Sequence, residues 1–187
     1  MSIKDNGAMA SLSDGWKIGI WTAFVTAMSV LFSWALACAA PFVAIAAIAA
    51  LTLSRANAFL LVGVTFVINQ AIGFLLLGYP TTAESFGWGA AIGVAAFAAT
   101  FVTTAAMRKT DDLRVAGAMG FLGGFVAYEL VLIASTMVLP AGGGFSLAVI
   151  GEIFWINALA FAGLLAFRWL GQTIGLLAAD DRQVLAA

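Results

Sequence analysis

The sequence predicts an all-α integral membrane protein, with six transmembrane helices and both the N- and C-termini cytoplasmic. Three observations carry that expectation. Apolar residues make up 64% of the chain and charged residues 9%, whereas a soluble domain is about half apolar and about a quarter charged. The apolar residues gather into runs of near-membrane length, separated by turn residues and charges. The basic residues fall in alternate connections, as the positive-inside rule requires.

The elements follow in order. Residues 1–14 form a polar N-terminal segment, and Ser13 and Asp14 can cap a helix that starts near Gly15 or Trp16. Residues 15–171 are the membrane domain and 172–187 a cytoplasmic tail. The first apolar run, 16–40, exceeds the roughly 7–15-residue core of a signal peptide and stops at Pro41, whose ring disfavours helical geometry in the residue before it. The run 42–53 is short, roughly 18 Å at helical rise. Arg55, Ala56 and Asn57 read as a loop, and 59–77 as a span. Gly78 to Thr82 is turn chemistry. Glu84, Ser85 and Trp88 read as a wet loop carrying an interfacial tryptophan. The spans 88–107, 117–139 and 147–170 complete the set, with a charged loop over 108–114 and Pro140 with three glycines before the last span.

Charge decides whether 42–53 crosses. With six spans and the N-terminus inside, Lys4, Lys17, Arg55, Arg108, Lys109, Arg114, Arg168 and Arg182 all lie on the cytoplasmic side. Without that crossing the cluster at 108–114 is pushed outside, against the bias.

Composition also excludes function classes. No basic cluster serves nucleic acid. The chain has no histidine, which argues against haem, imidazole-ligated metal and a histidine-based triad. No Gly-rich phosphate loop with a lysine is present, and no nucleophile stands beside a base, so neither ATP hydrolysis by that route nor an intramembrane enzyme is expected, and no cofactor is implied. The single Cys38 sits in an apolar run and reads as packing.

Polar residues inside the spans carry what functional information there is. At helical rise Asn69 and Gln70 lie roughly 10–12 Å below the outer end of their span, Glu129 about 15 Å, Glu152 about 8 Å and Asn157 about 15 Å. Trp34 sits near the outer end of the first span and Trp155 about 12 Å down the last. Most intramembrane polar groups thus share the outer half, as a cavity open to the outside requires. Asn69, Gln70 and Asn157 serve equally well as interhelical hydrogen-bonding groups. A carboxylate at the depth of Glu129 costs about 2.5–3.5 kcal/mol on insertion scales, and no basic side chain shares its depth. Its partner is a ligand, a cation or a proton. Angular spacing separates two faces: Gly117, Gly120, Gly124 and Tyr128 form one stripe suited to close helix packing, and Glu129 points about 100° away. Glu152 and Asn157 lie about 140° apart, so one of them is expected to pack rather than face a pocket. Trp16, Trp21 and Trp88 read as interfacial belt residues.

This layout resembles the substrate-binding S component of an energy-coupling-factor vitamin transporter: six short spans, cytoplasmic ends, Ala-rich first helices and outward polar groups on later helices. Ala23 and Ala27, with Ala35 and Ala39, repeat a small-xxx-small spacing similar to the one by which that family docks on its membrane partner. The resemblance implies a multi-pass protein of a bacterial-type plasma (inner) membrane. Its ligand is a small, vitamin-like and possibly cationic aromatic molecule held by Glu129, Tyr128, Asn69, Gln70, Glu152, Trp155, Asn157 and Trp34. It also implies partner subunits that carry a separate ATPase. The alternatives are a structural or accessory subunit of a larger membrane complex, or an ion- or proton-coupled carrier using Glu129 and Glu152.

Overall fold

The computed structural model describes residues 14–35, 40–140 and 146–177, and among them every regular element is an α-helix. In chain order these are α1 (Asp14–Ala35), α2 (Phe42–Thr52), α3 (Arg55–Leu75), α4 (Ala83–Ala106), α5 (Leu113–Ser135) and α6 (Leu147–Thr173). The last four are long and apolar enough to cross a membrane, as in a multi-pass membrane protein; α1 and α2 contribute shorter apolar stretches.

Three of the long helices begin ahead of their apolar runs, and the reason is capping. Ser54 accepts a hydrogen bond from Asn57 N, so α3 begins at Arg55 and the residues expected to form a loop are its first turn. Thr82 accepts from Ser85 N, so α4 begins at Ala83; Glu84, Ser85 and Trp88 are helical rather than in a wet loop. Asp112 accepts from Arg114 N and Val115 N, and α5 starts at Leu113. Ser146 does the same for α6 through Val149 N.

The centre of the bundle is α2. All 11 of its residues are buried, as expected of a helix that is apolar all round, and it packs on α3, α4, α5 and α6. Small residues on its neighbours let them close on it. A Cβ built on Gly124 of α5 falls 2.9 Å from Thr103 Cγ2 and 3.7 Å from Val43 Cγ1, so α5, α4 and α2 meet there only because that residue is glycine.

Three polar contacts hold α2 in register. Pro41 at its N-terminus supplies no side-chain cap. The cap comes from another helix instead: Asn157 Oδ1 of α6 accepts from Val43 N at 3.1 Å and Ala44 N at 3.2 Å, while its Nδ2 donates to Ile153 O at 2.9 Å. At the other end Thr52 Oγ1 accepts from Trp21 Nε1 at 3.1 Å. Trp21 is therefore not a belt residue. It is 1% exposed, and its indole N–H has a partner inside the protein. Midway, Thr103 Oγ1 reaches Ala46 O at 3.4 Å.

These contacts also fix how far α2 extends. Its 11 residues rise only about 16 Å. Val43 lies beside Gly124, so roughly 16 Å of α5, from Gly124 to Ser135, continues past the start of α2. On α6, Leu147 lies about 15 Å beyond Asn157. One end of the bundle, where α2 joins α3 and α4 joins α5, is filled by α2. The other, where α3 joins α4, has no central helix among the described residues. Past α6, Gly175 adopts φ +76° and turns the chain so that Leu176 and Leu177 pack as buried residues, Leu177 beside Gly171 and Trp21.

Candidate binding cavity at the α3–α4 end

At the end where α3 joins α4, these helices and the turn between them line a cavity of about 450 Å³, within the range of about 300–1,000 Å³ usual for small-molecule sites. Its wall combines Phe74, Tyr79 and Trp88 with Gln70, Glu84 and Ser85. The rings hold one another: Phe74 meets Tyr79 edge-on at 5.8 Å and stacks on Phe86 at 4.7 Å. Trp88 Nε1 donates to Pro140 O at 3.1 Å, which ties α4 to the segment that follows α5.

Two glycines shape this wall. Gly73 has no side chain because the Tyr79 ring occupies that space. A Cβ on Gly89 falls 2.7 Å from Gln70 Oε1, so any larger residue displaces the amide that lines the cavity. The turn through Gly78, at φ +70°, carries Tyr79 back over α3, with Tyr79 N donating to Gly73 O at 3.0 Å.

The expected site residues are divided among several places. Gln70 lines the cavity. Asn69, its neighbour, is buried and is not an unpartnered group. Asn157 is 2% exposed, and three hydrogen bonds to the backbones of α2 and α6 engage its amide. Glu152 and Trp155 lie on the outward face of α6, Trp155 64% exposed. Tyr128 is buried. Trp34 belongs to α1, but its side chain lies outside the described residues.

Glu129 stands apart from all of these. It is 5% exposed, and neither carboxyl oxygen has a hydrogen-bond partner. It follows Phe125 by one turn on the row of α5 that faces α6, where Phe121 stacks on Phe161 at 5.0 Å and Phe125 meets Phe154 edge-on at 5.1 Å.

A second concavity runs along α1. Gly15, Gly19, Ala23 and Ala27 recur every fourth residue and, with Leu60 and Ile68 of α3, line an apolar groove of about 860 Å³. Ala23 and Ala27 were both expected on a docking face; the Ala35 side chain and Ala39 lie outside the described residues.

Sequence reasoning missed most of the cavity wall. From sequence Trp88 reads as interfacial and Glu84 and Ser85 as a loop, whereas all three are helical and line one cavity. The signal was present in the Gly-Tyr-Pro turn beside Phe74, which returns an aromatic ring over the helix it has just left. No protein-family model, curated protein or solved structure matches this chain.

Proposed function

We propose that this chain is the membrane-embedded substrate-binding subunit of a small-molecule uptake transporter. In this reading six segments cross a bacterial-type inner membrane, both termini are cytoplasmic, and the α3–α4 end faces outward. The observation that carries the reading is the cavity beside Gln70, lined by rings, an amide and a carboxyl from α3, α4 and the turn between them. Binding without chemistry suits such a wall of rings, amide and carboxyl. The groove along α1 supports a membrane partner: small residues at four-residue spacing allow close helix approach. In this reading that partner belongs to an energising module with its own ATPase.

The test is what leaves the membrane with the protein. Mild detergent extraction followed by mass spectrometry should recover a small organic solute, together with ATPase-linked subunits. The solute should be lost in Gly89→Ala. Stoichiometric large subunits with no ATPase among them, and no solute, would leave an accessory subunit as the reading. Orientation is checked separately by thiol labelling of single cysteines introduced at Ser85 and Lys109 in a Cys38→Ala background. Labelling from outside at Ser85 alone is expected.

The unpartnered carboxyl of Glu129 favours a second reading, an ion- or proton-coupled carrier. Glu129→Gln separates the two. A coupled carrier loses ion dependence of transport, a binding subunit that uses Glu129 for a cationic ligand loses affinity, and an accessory subunit assembles unchanged.

A further inference from the structure

Resting on the binding-subunit reading above, we infer that the α3–α4 cavity selects an organic cation with a compact apolar body, and that Glu84 rather than Glu129 sets its charge preference. Glu84 carries the only charge on the described wall, and no described lysine or arginine lines it. An anionic ligand therefore finds no counter-charge. The N-terminus of α4 does not reverse this. Thr82 already accepts from Ser85 N there, and Glu84 sits in that first turn, where its charge offsets the positive end of the helix.

The apolar part of the wall complements the charge. Phe74, Tyr79 and Trp88 provide three aromatic rings on one cavity, and a cation within about 6 Å of such a ring is attracted to its face. Their positions are set by contacts within the protein. Tyr79 fills the space that Gly73 leaves, Phe74 is held between Tyr79 and Phe86, and Trp88 is tied through its nitrogen to Pro140. Little ordering is left to occur on binding, which favours a compact ligand over a long flexible one. The Gln70 amide, held against Gly89, supplies a neutral donor and acceptor at the inner wall, where a polar group other than the cationic centre can be met.

The experiment titrates the full-length protein in detergent by calorimetry with three probes of similar body: benzyltrimethylammonium, benzyl alcohol and benzoate. Benzyltrimethylammonium should bind most tightly and benzoate least. Glu84→Gln, an exposed change that leaves the fold intact, should weaken the cation about two- to fivefold and leave benzyl alcohol unchanged. Trp88→Leu should weaken the cation at least fivefold. Gly89→Ala should weaken benzyl alcohol, whose hydroxyl loses the displaced amide, more than it weakens the cation. Benzoate binding best, or a cation affinity indifferent to Glu84→Gln, overturns the proposed ligand class. The binding-subunit reading survives that result if Gly89→Ala still removes the copurifying solute. If no probe binds at millimolar concentration and Gly89→Ala changes nothing that copurifies, the reading and the inference fall together.

Discussion

Around α2 the bundle packs on a fully buried central helix; past the start of α2 its helices pack on one another without one among the described residues. In the first region every side chain of the central helix is buried, its polar ends are met by Asn157 and Trp21, and glycine lets the neighbouring helices touch it. In the second, α5 and α6 extend some 15 Å further with no central helix among the described residues. There lie a cavity walled by rings, a carboxyl with no partner and an amide lodged against a glycine. The difference separates polar groups by role. In the closed region Asn157 meets backbone N–H groups of α2 and Trp21 meets the Thr52 hydroxyl. In the open region both carboxyl oxygens of Glu129 lack a hydrogen-bond partner.

The largest effect should come from breaking the closed region at its polar end. Asn157→Leu leaves Val43 N and Ala44 N without an acceptor in a buried setting. At about 1–3 kcal/mol for each unmet donor, a loss of roughly 2–6 kcal/mol is expected. Asn157→Asp keeps the acceptor and should lose less. Unfolding in detergent, followed by circular dichroism, measures both. If the two variants are equally stable, the amide is not acting as a cap.

Next comes the contact on which three helices converge. Gly124→Ala places a methyl group 2.9 Å from Thr103 Cγ2, within a wall that also includes Ala99 and Val43. Overpacking of this kind costs about 1–3 kcal/mol. Thr103→Ser in the same background removes the clashing methyl and should restore part of the loss. A double-mutant cycle on unfolding midpoints tests the coupling directly; strict additivity would show that α5 shifts away rather than pressing on α4.

How much of this division was legible beforehand is clearest in particular residues. The membrane helices, the packing stripe on α5 and its separation from Glu129 follow from hydropathy and a 100° rotation per residue, because burial in a helix bundle is periodic. The helix starts did not follow from apolar length. Ser54, Thr82 and Asp112 each begin a helix several residues before hydropathy rises. A cap acts through one local hydrogen bond, which an averaged hydropathy window cannot register. The roles of Asn157 and Trp21 were not legible either. Both bind α2, and which helix occupies the centre of a bundle depends on tertiary packing, although the uniform apolarity of 42–52 was a signal for it.

The open region makes an opposite prediction. Glu129 has no hydrogen bond to lose, so Glu129→Leu removes an unmet buried carboxyl and should stabilise the isolated protein by about 1 kcal/mol. Function should move the other way, with transport reduced if the carboxyl serves an ion or a ligand. Destabilisation on that substitution would mean that Glu129 has a partner in the membrane and belongs with Asn157 among the structural groups.

The smallest effect is expected at Trp155, and it sharpens the comparison because it lies on neither side of it. The ring is 64% exposed on the outward face of α6 and touches Phe154 edge-on at 5.8 Å. Neither the α2 core nor the described wall of the cavity includes it. Trp155→Leu should therefore change the stability of the isolated protein by less than about 0.5 kcal/mol and leave solute binding unaltered. A large exposed tryptophan on an apolar helix still provides broad apolar contact for another helix. The measurement that bears on it is assembly: Trp155→Leu is compared with Ala23→Leu, which fills the groove on α1, for recovery of partner subunits from the membrane. Loss only in Ala23→Leu assigns docking to α1, and loss only in Trp155→Leu moves it to α6.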